Sequence, residues 1–145
     1  MYKRVYLAGD NHSCWQQELQ SQARKARLAI SFRCSYKQVE SDSIAMEAGS
    51  AMAGARRVEA LNDALLSRAE LIIVRFSEDS DHRSNLVAVA QAIVRGKSVM
   101  VLYDNEMADK FSSIPRVATA VAGDLAQLLS LLDIWSTTNK ATDNN

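Results

Sequence analysis

Apolar and polar positions along the chain follow two rhythms in turn. Four short stretches are apolar and rich in β-branched residues, with turn residues at their ends: KRVYLAG at 3–9, RLAISFR at 27–33, ELIIVRF at 70–76 and KSVMVLYD at 97–104. Continuous apolar runs of this length predict strands covered on both faces. RVATAV at 116–121, just after the single proline, Pro115, predicts a weaker fifth strand. Between the strands the period becomes helical. One helix is predicted from a cap at Ser13 to about Lys25. In ARRVEALNDALLSRA at 55–69, Val58, Leu61, Leu65 and Leu66 share one face. SNLVAVAQAIVRG at 84–96 opens on the cap candidate Ser84 and closes at Gly96. GDLAQLLSLLDIW at 123–135 opens on Gly123 and Asp124, with Leu125, Leu128, Leu129 and Leu132 on its apolar face. The polar segment 138–145 is expected to be a disordered tail.

Alternating strands and helices predict an α/β class chain with a five-stranded, mainly parallel sheet. The expected architecture is a single-domain, three-layer, flavodoxin-like (Rossmann-like) fold over residues 1–137. In such sheets ligands bind beyond the carboxyl ends of the strands. That rule directs attention to 9–13, 34–54, 77–84 and 104–114.

Composition narrows the partners. The chain has 17 basic and 17 acidic residues, so no net charge draws it to nucleic acid or to an anionic membrane. No apolar run approaches the roughly 20 residues of a membrane span. The N-terminus enters a strand pattern directly, without a signal-peptide layout, and the expected location is cytoplasmic. Cys14 and Cys34 have neither metal-ligand spacing nor a disulfide framework, and both are expected to be plain buried or half-buried thiols. No metal and no cofactor are expected. Neither a G-x-G-x-x-G nor a Walker sequence is present.

The polar residues fall in those loops. Gly9, Asp10, Asn11, His12 and Ser13 follow the first strand. Asn11 or Ser13 can cap the next helix, and the same groups can hold a phosphate or a sugar hydroxyl at a helix start. The long joint 34–54 holds Glu47 among small residues, with Gly49 permitting close approach, and its Ala- and Met-rich half can extend the following helix backwards. After the third strand come Glu78, Asp79, Asp81, His82 and Arg83, a set that also reads as a solvated charged loop. Arg75 lies inside an apolar strand, where a charge calls for a carboxylate or a ligand anion. Trp15 and Trp135 sit on helical faces and read as core or interface.

Tyr6-Leu7-Ala8-Gly9-Asp10-Asn11-His12-Ser13-Cys14-Trp15 resembles the YLAGE-x-HS-x-W opening of the YtoQ-type branch of the nucleoside 2-deoxyribosyltransferase-like superfamily. SDSIA at 41–45, AELIIVRFSE at 69–78 and AIVRGKSVMVL at 92–102 resemble further segments of that branch, in the same order. The resemblance implies a flavodoxin-like fold and a small-molecule nucleoside or nucleotide as partner. It implies cleavage or transfer of an N-glycosidic bond, with a carboxylate attacking the anomeric carbon. Tyr6, Gly9, His12, Ser13, Asp42, Arg75, Glu78 and Asp81 would line the substrate site, with Asp10 and Glu47 as catalytic acids. Relatives place the nucleophile on the helix after the third strand. Counting back from Gly96 and Lys97, that position is Ala88, and 84–96 carries no carboxylate. DSIAMEAGSAMAG at 42–54 resembles the missing motif, which makes Glu47 its substitute. The alternative is a non-catalytic sensor, carrier or sink for nucleotides on the same fold. A homo-oligomer is expected, with the C-terminal helix ending at Trp135 as one possible contact surface.

Overall fold

A computed structural model of the chain describes residues 2–8, 14–35, 51–77, 82–103 and 118–143. Five strands form one sheet: β1 (Lys3–Ala8), β2 (Ile30–Cys34), β3 (Leu71–Phe76), β4 (Ser98–Tyr103) and β5 (Ala120–Ala122). Four helices accompany them: α1 (Trp15–Lys25), α2 (Ala51–Arg68), α3 (His82–Val94) and α4 (Leu125–Asp143). The strand order is β2-β1-β3-β4-β5 with every pair parallel, the flavodoxin-like arrangement expected above.

Two apolar layers hold the helices to the sheet. Val5, Leu7, Leu71, Ile73, Met100 and Leu102 face one side, against Trp15 and Leu19 of α1 and Leu128, Leu132 and Trp135 of α4. Tyr6, Ala8, Ile72, Val74, Phe76, Val99, Val101 and Tyr103 face the other, against Leu66 of α2 and Val89 and Ala92 of α3. The inner strands β1, β3 and β4 thus bury both of their faces, which is why their sequences read as nearly continuous apolar runs. Both tryptophans belong to the first of these layers.

Several boundaries differ from the sequence reading, each for a local reason. The second strand begins at Ile30 instead of Arg27. Arg27 ends α1 in the left-handed region (φ 59), with Leu28 N–H donating to the Ala23 carbonyl and Arg27 N–H to that of Arg24. This helix-terminating pair of bonds uses up the residues that looked like strand. Gly96 ends α3 in the same way at φ 71, with Lys97 N–H on Ala92 and Gly96 N–H on Ile93. The capping position of α1 is Cys14, not Ser13, and no side chain caps it. Ser84 is no cap either, because α3 already starts at His82. Asp124 does cap α4: its Oδ1 accepts from Gln127 N–H at 2.8 Å, and Gln127 Oε1 accepts from Gly123 N–H at 2.7 Å. No glycine or proline follows Asp124, and α4 runs past Trp135 to Asp143, so the helix extends into the tail expected to be disordered. Cys14 is exposed, where a buried or half-buried thiol was expected; Cys34 is half-buried.

Candidate functional site at the carboxyl edge of the sheet

Because all five strands are parallel, their carboxyl ends lie along one edge. The segments leaving β1, β2 and β3 carry most of the polar residues singled out above. Gly9, Asp10, His12, Ser13, Asp42, Glu47, Glu78 and Asp81 all lie outside the described residues. Tyr6 and Arg75 are described, and the structure does not bring them together. Tyr6 is in register with Ile72, so it belongs to the α2/α3 face. Arg75 lies between Val74 and Phe76 of that face and therefore points to the α1/α4 side.

On the α2/α3 side the edge is built from aromatic and amide groups. Tyr6 is 4% exposed and its side chain hydrogen-bonds Ser35, just past β2. Phe76 and Tyr103 end adjacent strands in register, with ring centroids 5.5 Å apart and planes tilted by 32°. Ser77 closes β3 and is buried. Asn85, 1% exposed in the first turns of α3, donates its Nδ2 to the Arg75 carbonyl at 2.9 Å. Its Oδ1 is buried and has no hydrogen-bond partner among the described residues. A buried acceptor left unpaired costs about 1–3 kcal/mol, so it stands out. Ala88, one turn further on, is half-buried and packs against this same apolar layer.

On the α1/α4 side an open cleft of about 470 Å³ is lined by Arg75 with Cys14, Trp15, Glu18, Leu102 and Asp124. Arg75 is half-buried and has an interaction of its own. The sequence reading did not single out Asn85, Ser77, Phe76 or Tyr103. A signal for Asn85 was present: it stands four and seven residues before Val89 and Ala92, on the face that α3 buries.

Burial pushes the Tyr6 hydroxyl up to about 12, against a smaller lowering by its Ser35 bond, and burial pushes Tyr103 up to about 12 as well. Below pH 10 folded and unfolded chains both keep these protons; from 10 to about 12 only the folded chain does. Stability therefore falls as pH rises through that window, by up to about 1.4 kcal/mol per pH unit for Tyr6. Urea midpoints measured between pH 9 and 11.5 should decline, and Tyr6→Phe should flatten the decline. An unchanged slope in that variant would show that Tyr6 is not the group responsible.

The model of the family described as nucleoside 2-deoxyribosyltransferase YtoQ matches residues 6–135. The chain belongs to this family. The match begins at Tyr6 and runs through all five strands to Trp135, so the carboxyl edge described here falls within it. No curated protein matches the chain. Among solved structures, a conserved protein from Enterococcus faecalis V583 superposes with a TM-score of 0.63 at 12% identity, covering 92% of this chain and 98% of that one. At that identity the likeness shows the shared fold. No helix among the described residues is long and apolar enough to cross a membrane.

Proposed function

We propose that this YtoQ-family protein binds a nucleoside or nucleotide at the carboxyl edge of its sheet and cleaves or transfers the N-glycosidic bond. The family match over 6–135 carries the reading. Glu47 is the nucleophile: a carboxylate oxygen attacks the anomeric carbon and the C–N bond breaks. The base leaves with the bonding electron pair and takes a proton from Asp10. Water or a second base then displaces the carboxylate. Gly9, His12 and Ser13 hold the sugar or phosphate after β1. Tyr6 backs the pocket on the α2/α3 side, and Asp42, Glu78 and Asp81 supply further polar contacts; Arg75 opens on the other face of the sheet, outside it. The protein works in the cytoplasm as a homo-oligomer, without a cofactor.

One observation favours a second reading. Helix α3, HRSNLVAVAQAIV, contains no carboxylate, and Ala88 presents only a methyl group. A methyl cannot form a glycosyl–enzyme bond, and on this reading the protein is a nucleotide-binding sensor, carrier or sink. Chromatographic base release from a panel of ribo- and deoxynucleosides and their 5′-phosphates separates the two. Wild type should release a free base, and Glu47→Ala and Asp10→Ala should lose most of that activity, by about a hundredfold or more. No release from any substrate, together with saturable thermal stabilisation by the same panel, would instead establish the binder.

A further inference from the structure

Strand β2 is the outer strand at one side of the sheet, paired only with β1. Lys3 N–H donates to the Ala29 carbonyl and Ser35 N–H to that of Leu7, each at 3.0 Å. Alternate residues of a parallel strand bond to the same neighbour, so Ala29, Ser31, Arg33 and Ser35 turn their backbone groups to β1. The C=O of Ile30 and both backbone groups of Phe32 point the other way, and no strand among the described residues pairs with them. Ile30 N–H already donates to the Leu28 carbonyl.

An open cleft of about 600 Å³ lies along this edge, between the end of α1 and the first half of β2. Its floor is apolar: Ala23 is buried, and Leu28, Ile30 and Phe32 are half-buried. Arg24 and Arg27 also line it, both exposed. Arg33 is exposed as well, on the opposite face of β2 from Phe32. From Leu19 to Val39 the chain has five basic residues and no acidic one, although its total charge is zero. The carbonyl end of α1 accounts for Arg24 and Lys25 in its last turn. It does not account for Arg33 on the strand, and no carboxylate among the described residues pairs with Arg24, Arg27 or Arg33.

We infer that this edge takes an extended segment of a partner protein, alternating apolar and acidic residues, added beside β2 as a sixth strand. The segment's backbone pairs with Ile30 and Phe32. Its apolar side chains fall on the cleft floor, and its acidic ones meet Arg33 on the other face, with a terminal acid reaching Arg24 and Arg27. Charge complementarity selects an acidic strand. Two β2 edges side by side would crowd arginine against arginine, so the charges that keep copies of the chain apart here admit a partner of opposite sign. A nucleic acid or a membrane surface would meet the arginines but leave the apolar floor and the backbone edge unused.

The cleft lies at the amino-terminal half of β2, away from the carboxyl edge, and its test needs no substrate. The probe is a fluorescein-labelled, amidated hexapeptide alternating valine and glutamate, titrated with the full chain and followed by fluorescence anisotropy. Binding should saturate below millimolar protein and weaken as salt is raised. Arg27→Glu and Arg33→Glu, both at exposed positions that leave folding intact, should each raise the dissociation constant by about tenfold or more, and Arg33→Lys should not. The same peptide N-methylated at its valines or at its glutamates presents one backbone edge or the other without donors, and one of the two should lose binding. Absence of saturable peptide binding overturns the inference. So does binding that ignores both charge reversals, or that survives both N-methylation patterns. Tighter arginine-dependent binding of a duplex oligonucleotide or of anionic phospholipid vesicles would also overturn it, and would assign the patch to that partner.

Discussion

Replacing Phe76 with alanine should cost about 3–5 kcal/mol of folding stability, a large share of the roughly 5–15 kcal/mol that holds a domain of this kind. Phe76 is fully buried at the end of the central strand, in van der Waals contact with the ring of Tyr103 on β4. Truncation removes the transfer free energy of the ring and leaves a cavity among Val74, Val101 and Val89, which belong to a layer fixed by strand register and cannot close fully. In a chain of this length the loss should appear as a fall in melting temperature of about 10 °C or more. Val121→Ala is the control. It lies on the edge strand, 41% exposed, and should change stability by no more than about 0.5 kcal/mol. Equal effects for the two substitutions would show that the Phe76–Tyr103 contact does not anchor this end of the sheet.

Phe76 lies in the part of the molecule that the sequence describes best. Apolar runs at 70–76 and 97–104 predicted β3 and β4 to within one residue at each end, because strands buried on both faces read as nearly continuous apolar runs whose ends are marked by polar residues. Edges and helix ends were harder to read. Strand β2 is an edge, half-exposed, and its start is set by the left-handed turn at Arg27, which nothing in RLAISFR announces. Strand β5 has three residues, too few for a period to show. Likewise the caps divided by mechanism. Asp124 with Gln127 three residues later is a side-chain device, visible in the sequence. Cys14 caps α1 by backbone conformation alone, which a side-chain rule misses.

The sheet edge that gathers the strands' carboxyl ends was legible in the sequence, and the face each of its residues takes was not. Parallel strands put their carboxyl ends together, and the acids picked out in the sequence follow those ends in the chain. What the sequence hides is the alternation of faces. Tyr6 and Arg75 look like two polar interruptions of equivalent strands, yet one belongs to the α2/α3 layer and the other opens on the α1/α4 cleft. Asn85 hides for the opposite reason. It stands in a polar stretch, RSN, that reads as a helix start, while the helix has already begun at His82 and turns Asn85 inward.

That inward amide gives the second large effect. Asn85→Asp should cost about 3–5 kcal/mol at neutral pH, although the side chain keeps its size and shape. The ionised carboxylate has no N–H to give the Arg75 carbonyl, so an oxygen faces an oxygen where Nδ2 now donates at 2.9 Å, and the charge is buried without a partner. Acidification should repair the defect. Burial raises the pKa of the new carboxyl in the folded state above its unfolded value, so the folded chain takes up the proton first. The stability this proton supplies is complete below the unfolded-state pKa and is lost as pH rises through the higher folded-state one. Urea midpoints of the variant should therefore approach those of wild type as pH falls from 8 toward 4. Asn85→Leu separates charge from hydrogen bonding. It strands the Arg75 carbonyl, at a cost of about 1–3 kcal/mol, but it also removes the unpartnered Oδ1 and introduces no titrating group. Its deficit should be smaller and independent of pH. A pH-independent deficit in Asn85→Asp as well would mean that the carboxylate finds water or a cation at the head of α3, and that the edge of the sheet beside Arg75 is wet.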